Sequence, residues 1–459
     1  MNSTKRKTLK IDNIDHMEEG YTYSQALAEA NRCLLCHDAP CSKNCPAGTA
    51  PATFIRKFRL KNIKGAIRTI KENNILGGCC GVVCPIEQLC QKGCVAASLS
   101  KPIEIGKIQR FLVEHGWETN FDPLSKCIDT SKPEVKDNRP KVAIIGSGPA
   151  GLACAAELGK SGYNSQIFEA KAEAGGVLRY GVPPFRLNPE FLEKELEDVK
   201  ALGTKISCNQ SIGKDGVKTL LEEGFSAVFL APGIWQPYEL DIPGIELENS
   251  FNATEFLELI KKGKADYLKK MVNGKNVGVT GGGSVAMDVA NTCKALGANK
   301  VYVIYRRSVE QMPASKDDLD MARDNFVIIR PQSVVKELIG SEGVVTGLRG
   351  IETDWVERDN FRSSNLKEVK GTEFSLLIDT FVTAIGSGPD KNIQDLCPQI
   401  NYRKNGQIVV DDESMKTNDK QVFAGGDVIR GSGTVVGAVA DGRKAAQAII
   451  SALIKDLKS

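Results

Sequence analysis

The segment KVAIIGSGPAGLACAAELGKSGYNSQIFEA, residues 141–170, decides the fold of this chain. Its pattern predicts a short buried strand, a glycine-rich turn, a helix and a second strand, in that order. Gly146, Gly148 and Gly151 form a G-x-G-x-x-G motif with Ala150 inside it, and Glu169 ends the second strand. In such a motif the glycines allow the turn, the approach of a pyrophosphate and close helix–strand packing, and the acid binds ribose hydroxyls. The segment therefore predicts a dinucleotide site at a helix N-terminus.

A second segment of the same kind, KNVGVTGGGSVAMDVANTCKALGANKVYVIYRR, occupies residues 275–307. Its turn residues are Gly281, Gly282, Gly283 and Ser284, and Ala286 takes the place of the third motif glycine. Where the first segment has Glu169, this one has Arg306 and Arg307. Guanidinium groups at that position suit the 2′-phosphate of NADP, so the pattern favours NADPH over NADH. The alternative is that both arginines face water, or that one pairs with Glu310.

A third glycine-rich segment, QVFAGGDVIRGSGTVVGAVADGRKAAQAII, occupies residues 421–450. It predicts a strand that leads to Gly426 and Asp427, followed by a helix. A carboxylate at that position can hold the ribityl hydroxyls of a flavin, although a turn aspartate that caps the helix is the simpler alternative. One motif with an acid and one with arginines predict FAD beside a nicotinamide nucleotide. Because the first and third segments serve one flavin, the nicotinamide domain is expected to be an insertion between two halves of the FAD domain.

The N-terminal region of the chain has a different texture. Apolar residues recur at spacings of three and four in 23–36 and 52–74, which predicts helices. The polar, proline-bearing stretch DTSKPEVKDNRP (129–140) is typical of a linker. The predicted fold class is α/β, with a helical N-terminal domain followed by two doubly wound nucleotide-binding domains. The predicted domains are a helical iron–sulfur domain at 1–138, an FAD domain formed by 139–240 together with 379–459, and an NAD(P) domain at 241–378.

Nine of the 14 cysteines lie between Cys33 and Cys94. RCLLCHDAPCSKNCP (32–46) has the spacing C-x2-C-x4-C-x3-C-P, and a second group follows at 79–94. No secretory signal is apparent, so disulfides are disfavoured and metal binding is expected. Thiolates in bends rich in glycine and proline favour two [4Fe–4S] clusters over zinc. Spacing leaves the ligand sets open, because the cysteine before proline crosses to the other cluster in two-cluster ferredoxins. The simple partition by spacing is Cys33, Cys36, Cys41 and Cys45 for one cluster and Cys80, Cys84, Cys90 and Cys94 for the other, with Cys79 as an extra thiol.

Composition excludes several classes of function. The net charge of +3 is too small to indicate a nucleic-acid partner, and no apolar run reaches the roughly 18 residues of a membrane helix. The basic N-terminal residues are not followed by an apolar stretch, so no signal peptide is expected. These observations predict a cytoplasmic protein without a membrane partner.

Several segments resemble one known family. They include RCLLCHDAPC, PIEIGKIQRF (102–111), GGVLRYGVPPFRL (175–187) and GGGSVAMDVA, and the likeness extends over about residues 20–455. This is the NAD(P)H-oxidising flavin/iron–sulfur module of dihydropyrimidine dehydrogenase, which glutamate synthase small subunits share. The resemblance implies that Leu178 and Arg186 contact the flavin. It also implies ligand sets, namely Cys33, Cys36, Cys41 and Gln109 for one cluster and Cys45, Cys84, Cys90 and Cys94 for the other, which leaves Cys79 and Cys80 as spectators.

A flavin can accept a hydride and pass on single electrons, so it couples NAD(P)H to the clusters without a catalytic acid–base pair. The chain has no predicted domain for a further substrate. The resemblance therefore implies an FMN-containing partner subunit that reduces uracil or thymine to the dihydropyrimidine. The alternatives are the small subunit of glutamate synthase or a ferredoxin–NAD(P) oxidoreductase subunit. A third hypothesis is a zinc-binding scaffold with vestigial nucleotide folds. Bacterial subunits of the pyrimidine branch are often NADH-linked, which conflicts with the NADPH prediction from the arginines.

Overall fold

The structure, a computed structural model, describes residues 17–125, 140–357, 361 and 363–456. The chain divides into two compact units. The large unit consists of Glu18–Arg179, Leu187–Gln236 and Ser387–Ser459, and the small unit contains Tyr180–Arg186 and Pro237–Gly386. The predicted linker at 129–140 lies outside the described residues, apart from Pro140. The predicted domain bounds stay predictions.

The N-terminal region of the large unit is helical, as its apolar spacing predicts. Its helices are α1 (Tyr23–Asn31), α2 (Pro40–Lys43), α3 (Pro51–Arg59), α4 (Ile63–Asn73), α5 (Gly77–Val83) and α6 (Ile105–Glu118), with a 3-10 turn at Val95–Ser98. The run 52–74 forms two helices because Lys61 has a φ of 61° and Asn62 caps the N-terminus of α4. Phe54, Phe58 and Phe111 are buried in the core between these helices.

After the helices, the large unit starts an α/β fold. Its elements are β1 (Lys141–Ile145), α7 (Pro149–Lys160), β2 (Asn164–Phe168), α8 (Val177–Tyr180), α9 (Pro189–Ala201), β3 (Lys205–Ser207), α10 (Gly216–Glu222), β4 (Phe225–Leu230) and the short β5 (Gln236–Pro237). β1 pairs in parallel with β2 and β4, which places Ile145 beside Phe168 on one side and Leu230 on the other. Four of the five residues of β1 are buried, as expected of a central parallel strand.

The small unit repeats this layout around its own sheet. Its elements are β6 (Ser250–Asn252), α11 (Ala253–Lys261), α12 (Ala265–Val272), β7 (Asn276–Thr280), α13 (Ser284–Ala295), β8 (Lys300–Ile304), α14 (Lys316–Asp324), β9 (Ile328–Arg330), β10 (Ser333–Ser341), β11 (Val344–Trp355), β12 (Leu366–Glu368), β13 (Phe374–Leu376) and β14 (Thr380–Thr383). The parallel sheet has the order β6-β14-β7-β8-β9, and β10 to β13 form a separate antiparallel sheet. The hydrophobic core of the small unit lies between α11, α13 and the parallel sheet, around Phe256 and Met287.

The chain then returns to the large unit. The last elements are β15 (Ser387–Gly388), α15 (Ile393–Leu396), β16 (Val422–Ala424), α16 (Asp427–Arg430) and α17 (Val435–Asp456). β16 pairs in parallel with β4 and completes the sheet order β16-β4-β1-β2-β3. One sheet is thus built from two distant stretches of chain, which confirms the predicted fold class with its inserted domain. Among the described helices, none combines the length and the apolar character that crossing a bilayer requires.

Candidate functional site

Four cysteines of the N-terminal helices surround one small apolar cavity. Cys33, Cys36, Cys41 and Cys94 line it, together with Ile55 and other apolar side chains. Leu35 and Ala39 have φ angles of 52° and 43°, and these left-handed residues let the short loop turn its thiols toward one space. Burial raises the pKa of Cys41, and the neighbouring Cys33 and Cys94 add to the shift. Iron would have to displace these protons, as metal binding to thiols generally does.

A second group of thiols lies around the end of α5. A hydrogen bond between the Cys84 thiol and Cys80, together with burial, raises the pKa of Cys84 well above its ordinary value, and Cys90 and Cys45 are its further neighbours. Burial raises the pKa of Cys90 to about 12, with Cys45 and Cys41 as its charged neighbours. Cys45 also receives a hydrogen bond from the Thr49 N–H, at 3.5 Å. Cys45 therefore lies near Cys84 and Cys90, although it belongs to the same sequence segment as the thiols of the first group.

The resemblance implies Gln109 as a ligand of the first cluster and Cys94 as a ligand of the second, and the structure gives contacts for both residues. Gln109 is buried on α6 and donates from Nε2 to the carbonyl of Gly77, at 2.5 Å, so it faces the helix that ends at Cys84. Cys94 instead joins the first group, because Gly93 packs against Pro40 and a Cβ on Gly93 would lie 3.0 Å from it. The structure thus places Cys94 at the cavity of the first group and Gln109 beside the helix that ends at Cys84, and the ligand sets of the two clusters stay a prediction.

The arrangement of the thiols can be compared with the requirement of a [4Fe–4S] cluster. Among the residues that the structure describes, no three His, Cys, Asp or Glu side chains converge on one point as ligands of a single metal ion would. A [4Fe–4S] cluster has a different requirement, because each of its four ligands binds a separate iron at a separate corner. Thiols around a cavity fit that requirement.

The first glycine motif is closed by steric contacts and by one carboxylate. A Cβ on Gly151 would lie 2.0 Å from the carbonyl oxygen of Gly146, whereas a Cβ on Gly148 would meet nothing within 4 Å. Glu169 is buried, and its carboxylate accepts from the N–H and the hydroxyl of Ser147 inside the motif, the N–H at 2.9 Å. The space beside Gly148 at the start of α7 is thus open to a ligand, and the bonds between Ser147 and Glu169 fix the loop.

The third glycine segment lies against the same helix start. A Cβ on Gly426 would be 3.1 Å from the Cβ of Ala150, and one on Gly442 of α17 would be 2.1 Å from the Ala150 carbonyl oxygen. Burial raises the pKa of Asp427 to about 6. The first and third segments are therefore neighbours in one unit, as a shared dinucleotide requires.

The loop after β2 also reaches this place. A Cβ on Gly176 would lie 2.6 Å from the Cα of Gly148, so the loop packs directly over the glycine motif. Leu178, which was predicted to contact the flavin, is fully buried two residues further on. Its contact with a flavin stays a prediction.

In the small unit the second glycine motif is equally restricted. A Cβ on Gly281 would lie 2.2 Å from the Ala384 carbonyl oxygen, and one on Gly282 would meet the ring of Tyr305 at 2.4 Å. Gly283 is the N-cap of α13 and has open space, with Pro313 at 3.9 Å from a Cβ. Ser284 begins the helix, so its hydroxyl and N–H lie at the dipole end that attracts phosphate.

The two arginines after β8 differ in their surroundings. Arg306 is exposed, and Arg307 lines an open cavity of about 690 Å³ with Ser308, Gln311 and Trp355 among its other walls. The guanidinium of Arg307 lies 5.8 Å from the centre of the Trp355 ring. The cavity also contains carboxylates, from Glu310 and Asp354. It offers an aromatic face and a cation at the edge of the sheet where an adenosine would lie.

Comparisons with known proteins agree with this geometry. Residues 140–442 match the pyridine nucleotide-disulphide oxidoreductase family, and residues 10–121 match the 4Fe-4S cluster region called dihydropyrimidine dehydrogenase domain II. The chain belongs to this oxidoreductase family. It is 35% identical over 440 residues to the NAD-dependent dihydropyrimidine dehydrogenase subunit PreT of Escherichia coli, covering 95% of this chain and 96% of that one. It is 32% identical to the glutamate synthase [NADPH] small chain of the same organism, covering 97% and 96%.

Solved structures support the fold. FprA of Mycobacterium tuberculosis in complex with NADPH matches with a TM-score of 0.57 at 17% identity, over 70% of this chain and 86% of that one. Thioredoxin reductase of Lactococcus lactis matches with a TM-score of 0.53 at 20% identity, over 69% and 100%. The resemblance noted in the sequence is thus confirmed. The protein is an NAD(P)H-dependent flavin and iron–sulfur oxidoreductase, whose cofactors are FAD, [4Fe–4S] and a nicotinamide nucleotide.

Arg186 of this oxidoreductase has partners that the sequence did not predict. Its guanidinium makes short ion pairs with the carboxylates of Asp288 on α13 and Asp318 on α14, and all three belong to the small unit. Burial raises the pKa of Asp288 to about 7, although Arg186 opposes the shift. Asp288 lies four residues after Ser284, so the cluster anchors the helix of the second glycine motif. The flavin contact of Arg186 stays a prediction, and the contacts of its guanidinium are with these two carboxylates.

A second buried cluster of this oxidoreductase supports the cysteine helix. Glu195 of α9 is fully buried. Its carboxylate accepts hydrogen bonds from the N–H groups of Gly78 and Cys79 in the first turn of α5, at 2.8 and 2.9 Å. Lys71 of α4 donates to the same carboxylate at 2.9 Å and forms an ion pair with Asp198 at 2.7 Å. Burial alone lowers the pKa of Lys71, but the two carboxylates outweigh it and raise the pKa. A charge cluster of the α/β region therefore fixes the start of the helix that ends at Cys84.

Proposed function

We propose that this chain is the electron-input subunit of a two-subunit enzyme. It oxidises NAD(P)H and passes the electrons through FAD and two [4Fe–4S] clusters to an FMN-containing partner, which reduces uracil or thymine to the dihydropyrimidine. The observation that carries the proposal is the presence of two thiol groups and two glycine motifs in one chain, together with its likeness to a dihydropyrimidine dehydrogenase subunit over almost its whole length.

The residues of this chain provide binding and placement. Gly148 and Gly151 with the start of α7 would hold the pyrophosphate of FAD, Glu169 its ribose, and Asp427 the ribityl chain. Gly283 and Ser284 would hold the pyrophosphate of the nicotinamide nucleotide. The bound flavin would supply the step between a two-electron donor and one-electron acceptors. No side-chain acid or base is needed for this transfer.

Arg306 and Arg307 support NADPH as the preferred coenzyme. Arg307 and Ser308 are positioned after β8 with an open cavity beside them, which suits a 2′-phosphate. The relatives differ in this respect, because the PreT subunit is named as NAD-dependent and the glutamate synthase chain as an NADPH enzyme. The arginines favour the second of these coenzymes here.

For the clusters we propose ligand sets that differ from the implied ones by one exchange, which is supported by Cys94 at the cavity of Cys33, Cys36 and Cys41 and by the contact of Gln109 with α5. The first set is Cys33, Cys36, Cys41 and Cys94, and the second is Cys45, Cys84 and Cys90 with Gln109. Cys80 is the competing fourth ligand of the second set, since it lies within hydrogen-bonding distance of Cys84. Iron analysis separates the two. Cys80→Ala is expected to retain about eight irons per chain, whereas Gln109→Ala and Cys84→Ala are expected to disturb the second cluster.

The partner is tested by reconstitution. The chain is expressed with its candidate FMN subunit, and uracil reduction is followed with NADPH and with NADH. Dihydrouracil formation supports the proposal. Failure with uracil and thymine, combined with glutamate formation from glutamine and 2-oxoglutarate in the presence of a glutamate synthase large subunit, would instead establish the second function.

A further inference from the structure

In the small unit, the last residues of β11 lie against the segment that follows β8. The N–H of Thr353 donates to the Gln332 carbonyl at 2.8 Å, and its hydroxyl donates to the Arg306 carbonyl, also at 2.8 Å. Gln332 in turn donates from its N–H to the Arg307 carbonyl at 2.9 Å. Side chains two positions apart on a strand face the same side, so Trp355 points, like Thr353, toward this segment. The antiparallel sheet thereby adds an aromatic wall to the edge of the parallel sheet.

The ring of Trp355 lines the open cavity beside Arg307. It is partly buried, and the Arg307 guanidinium lies 5.8 Å from its centre. Phe361 meets the Trp355 ring edge-on, at 5.4 Å between the ring centres, and lines the same cavity while 54% exposed. The cavity measures about 690 Å³, a volume typical of sites for a small organic ligand. Aromatic side chains and a guanidinium thus border a space large enough for a ring system with its sugar and phosphate.

The cavity also has carboxylate walls, at Glu310 and Asp354. Hydrogen bonds with its own backbone and with Ser308 lower the pKa of Glu310, so this group is ionised at neutral pH and can only accept hydrogen bonds. One oxygen of Asp354 accepts from the N–H of Trp355 at 2.8 Å. Because these carboxylates repel an anion, a phosphate fits only on the side of Arg307. The rest of the cavity suits an uncharged flat ring that carries an amino group.

We propose that Trp355 stacks on the adenine ring of the nicotinamide coenzyme, with the adenine amino group toward Glu310 and Asp354. The inference deepens the proposed coenzyme site and rests on it, since the 2′-phosphate beside Arg307 brings the adenosine half to this cavity. Adenine is flat and uncharged, and aromatic side chains bind bases through their faces. Trp355 therefore binds a part that NADPH and NADH share, whereas the arginines bind the phosphate in which they differ.

The test uses the holoprotein and two probes that lack nicotinamide, ADP-ribose and its 2′-phosphate. Isothermal titration calorimetry gives the dissociation constant of each probe. Trp355→Ala is expected to weaken both probes by the same factor, about 5- to 100-fold, because both contain adenine. Trp355→Phe retains an aromatic face, so both dissociation constants should stay within about threefold of the wild type.

A matched control removes an aromatic side chain elsewhere in the small unit. Tyr267 of α12 is 45% exposed, and Tyr267→Ala should leave both dissociation constants within about twofold. Reduced nicotinamide mononucleotide, a donor without adenosine, provides a second comparison, with menadione as the acceptor. The ratio of kcat/KM for NADPH to kcat/KM for this donor should fall about 5- to 100-fold in Trp355→Ala.

The wild type alone tests the amino group, so that no folding defect of a variant can obscure the result. In reduced nicotinamide hypoxanthine dinucleotide phosphate a carbonyl oxygen replaces the adenine amino group. That oxygen would face the carboxylates of Glu310 and Asp354 without a proton to donate. The kcat/KM of the wild type for this analogue should therefore be about tenfold below its value for NADPH.

Unchanged dissociation constants in Trp355→Ala, or equal losses in Trp355→Ala and Trp355→Phe, would overturn the stacking role. So would a loss confined to the 2′-phosphorylated probe, or an unchanged ratio between NADPH and the mononucleotide donor. Equal kcat/KM values for NADPH and its hypoxanthine analogue would overturn the placement of the amino group. A wild type that binds neither probe and oxidises neither NADPH nor NADH would overturn the proposed function itself, so the failures are distinguishable.

Discussion

Replacing Lys71 with Met should destabilise the large unit strongly, although the two side chains have similar length. Lys71 is 1% exposed, and its Nζ lies 2.9 Å from Glu195, 2.7 Å from Asp198 and 2.5 Å from the Ile75 carbonyl oxygen. Met can neither donate the hydrogen bonds to Glu195 and Ile75 nor replace the ion pair with Asp198. The variant therefore leaves a fully buried carboxylate and a largely buried one without their cation.

The expected cost follows from this geometry. At an effective dielectric constant of about 20, the Coulomb attraction between Lys71 and a carboxylate at the observed 2.7–2.9 Å is about 6 kcal/mol. Most of this attraction offsets the desolvation of the charges. Removing one partner of a buried pair costs about 3–5 kcal/mol in measured cases. Glu195 retains the N–H groups of Gly78 and Cys79, so the lower end, about 3 kcal/mol, is expected.

Trp117 provides the assay, because Lys71 lies 5.9 Å from the centre of its ring. In a background with the other two tryptophans, Trp235 and Trp355, changed to Phe, anaerobic urea unfolding followed by indole fluorescence gives the local unfolding free energy. The control is Lys194→Met, because this exposed lysine lies 5.4 Å from the same ring. It should lose less than about 1 kcal/mol. Equal losses in the two variants would show that Lys71 does not act through the buried carboxylates.

Three further predictions concern the nucleotide sites. Gly148→Ala should leave the unfolding free energy of the apoprotein, measured by urea unfolding, unchanged yet weaken FAD binding, measured by FAD titration. Gly151→Ala, whose Cβ meets a backbone oxygen at 2.0 Å, should lower the unfolding free energy and the free energy of FAD binding by about 1–3 kcal/mol each. Burial raises the pKa of Asp427 to about 6, and FAD hydroxyls need the ionised carboxylate as an acceptor, so FAD affinity should be full above that pH and fall about tenfold per pH unit below it. Asp427→Asn should abolish this pH dependence in the same FAD titration. The double variant Arg306→Ala/Arg307→Ala should raise the KM for NADPH about 10- to 100-fold, which corresponds to the loss of a charge-assisted contact of about 1.5–3 kcal/mol, and should leave the KM for NADH within about twofold. Equal changes for both coenzymes would refute a 2′-phosphate site.

The nucleotide folds were predictable because their requirements are local. Gly151 must be glycine since any Cβ would meet the carbonyl of Gly146, five residues away in the same turn. The same reasoning located the second motif and the inserted domain. The helices were predictable from apolar spacing, except for the break at Lys61, whose left-handed backbone has no signal in that spacing.

The ligand sets could not be predicted from spacing, because they depend on where distant segments return. Cys94 reaches the first group only through the packing of Gly93 on Pro40, more than 50 residues earlier. Lys71 and Glu195 are 124 residues apart, and nothing in the pattern of either helix marks a buried charge. Arg186 was expected beside a flavin from its neighbouring sequence, but its partners Asp288 and Asp318 follow more than 100 residues later.

The start of α5 shows why such distant contacts matter for electron transfer. This seven-residue helix has no side-chain cap of its own, and Glu195 accepts its first N–H groups instead. A helix this short has little intrinsic stability and takes its position from tertiary contacts. The position of Cys84, at its end, is therefore set by α9, a helix that follows the loop packed over the FAD motif. Since Glu195 is itself bound to Lys71 on α4, neither the thiol group nor the flavin-binding half can shift without disturbing a fully buried ion pair. A cluster held by Cys84 and a flavin held at the first glycine motif would therefore be kept at a separation that this ion pair helps to fix.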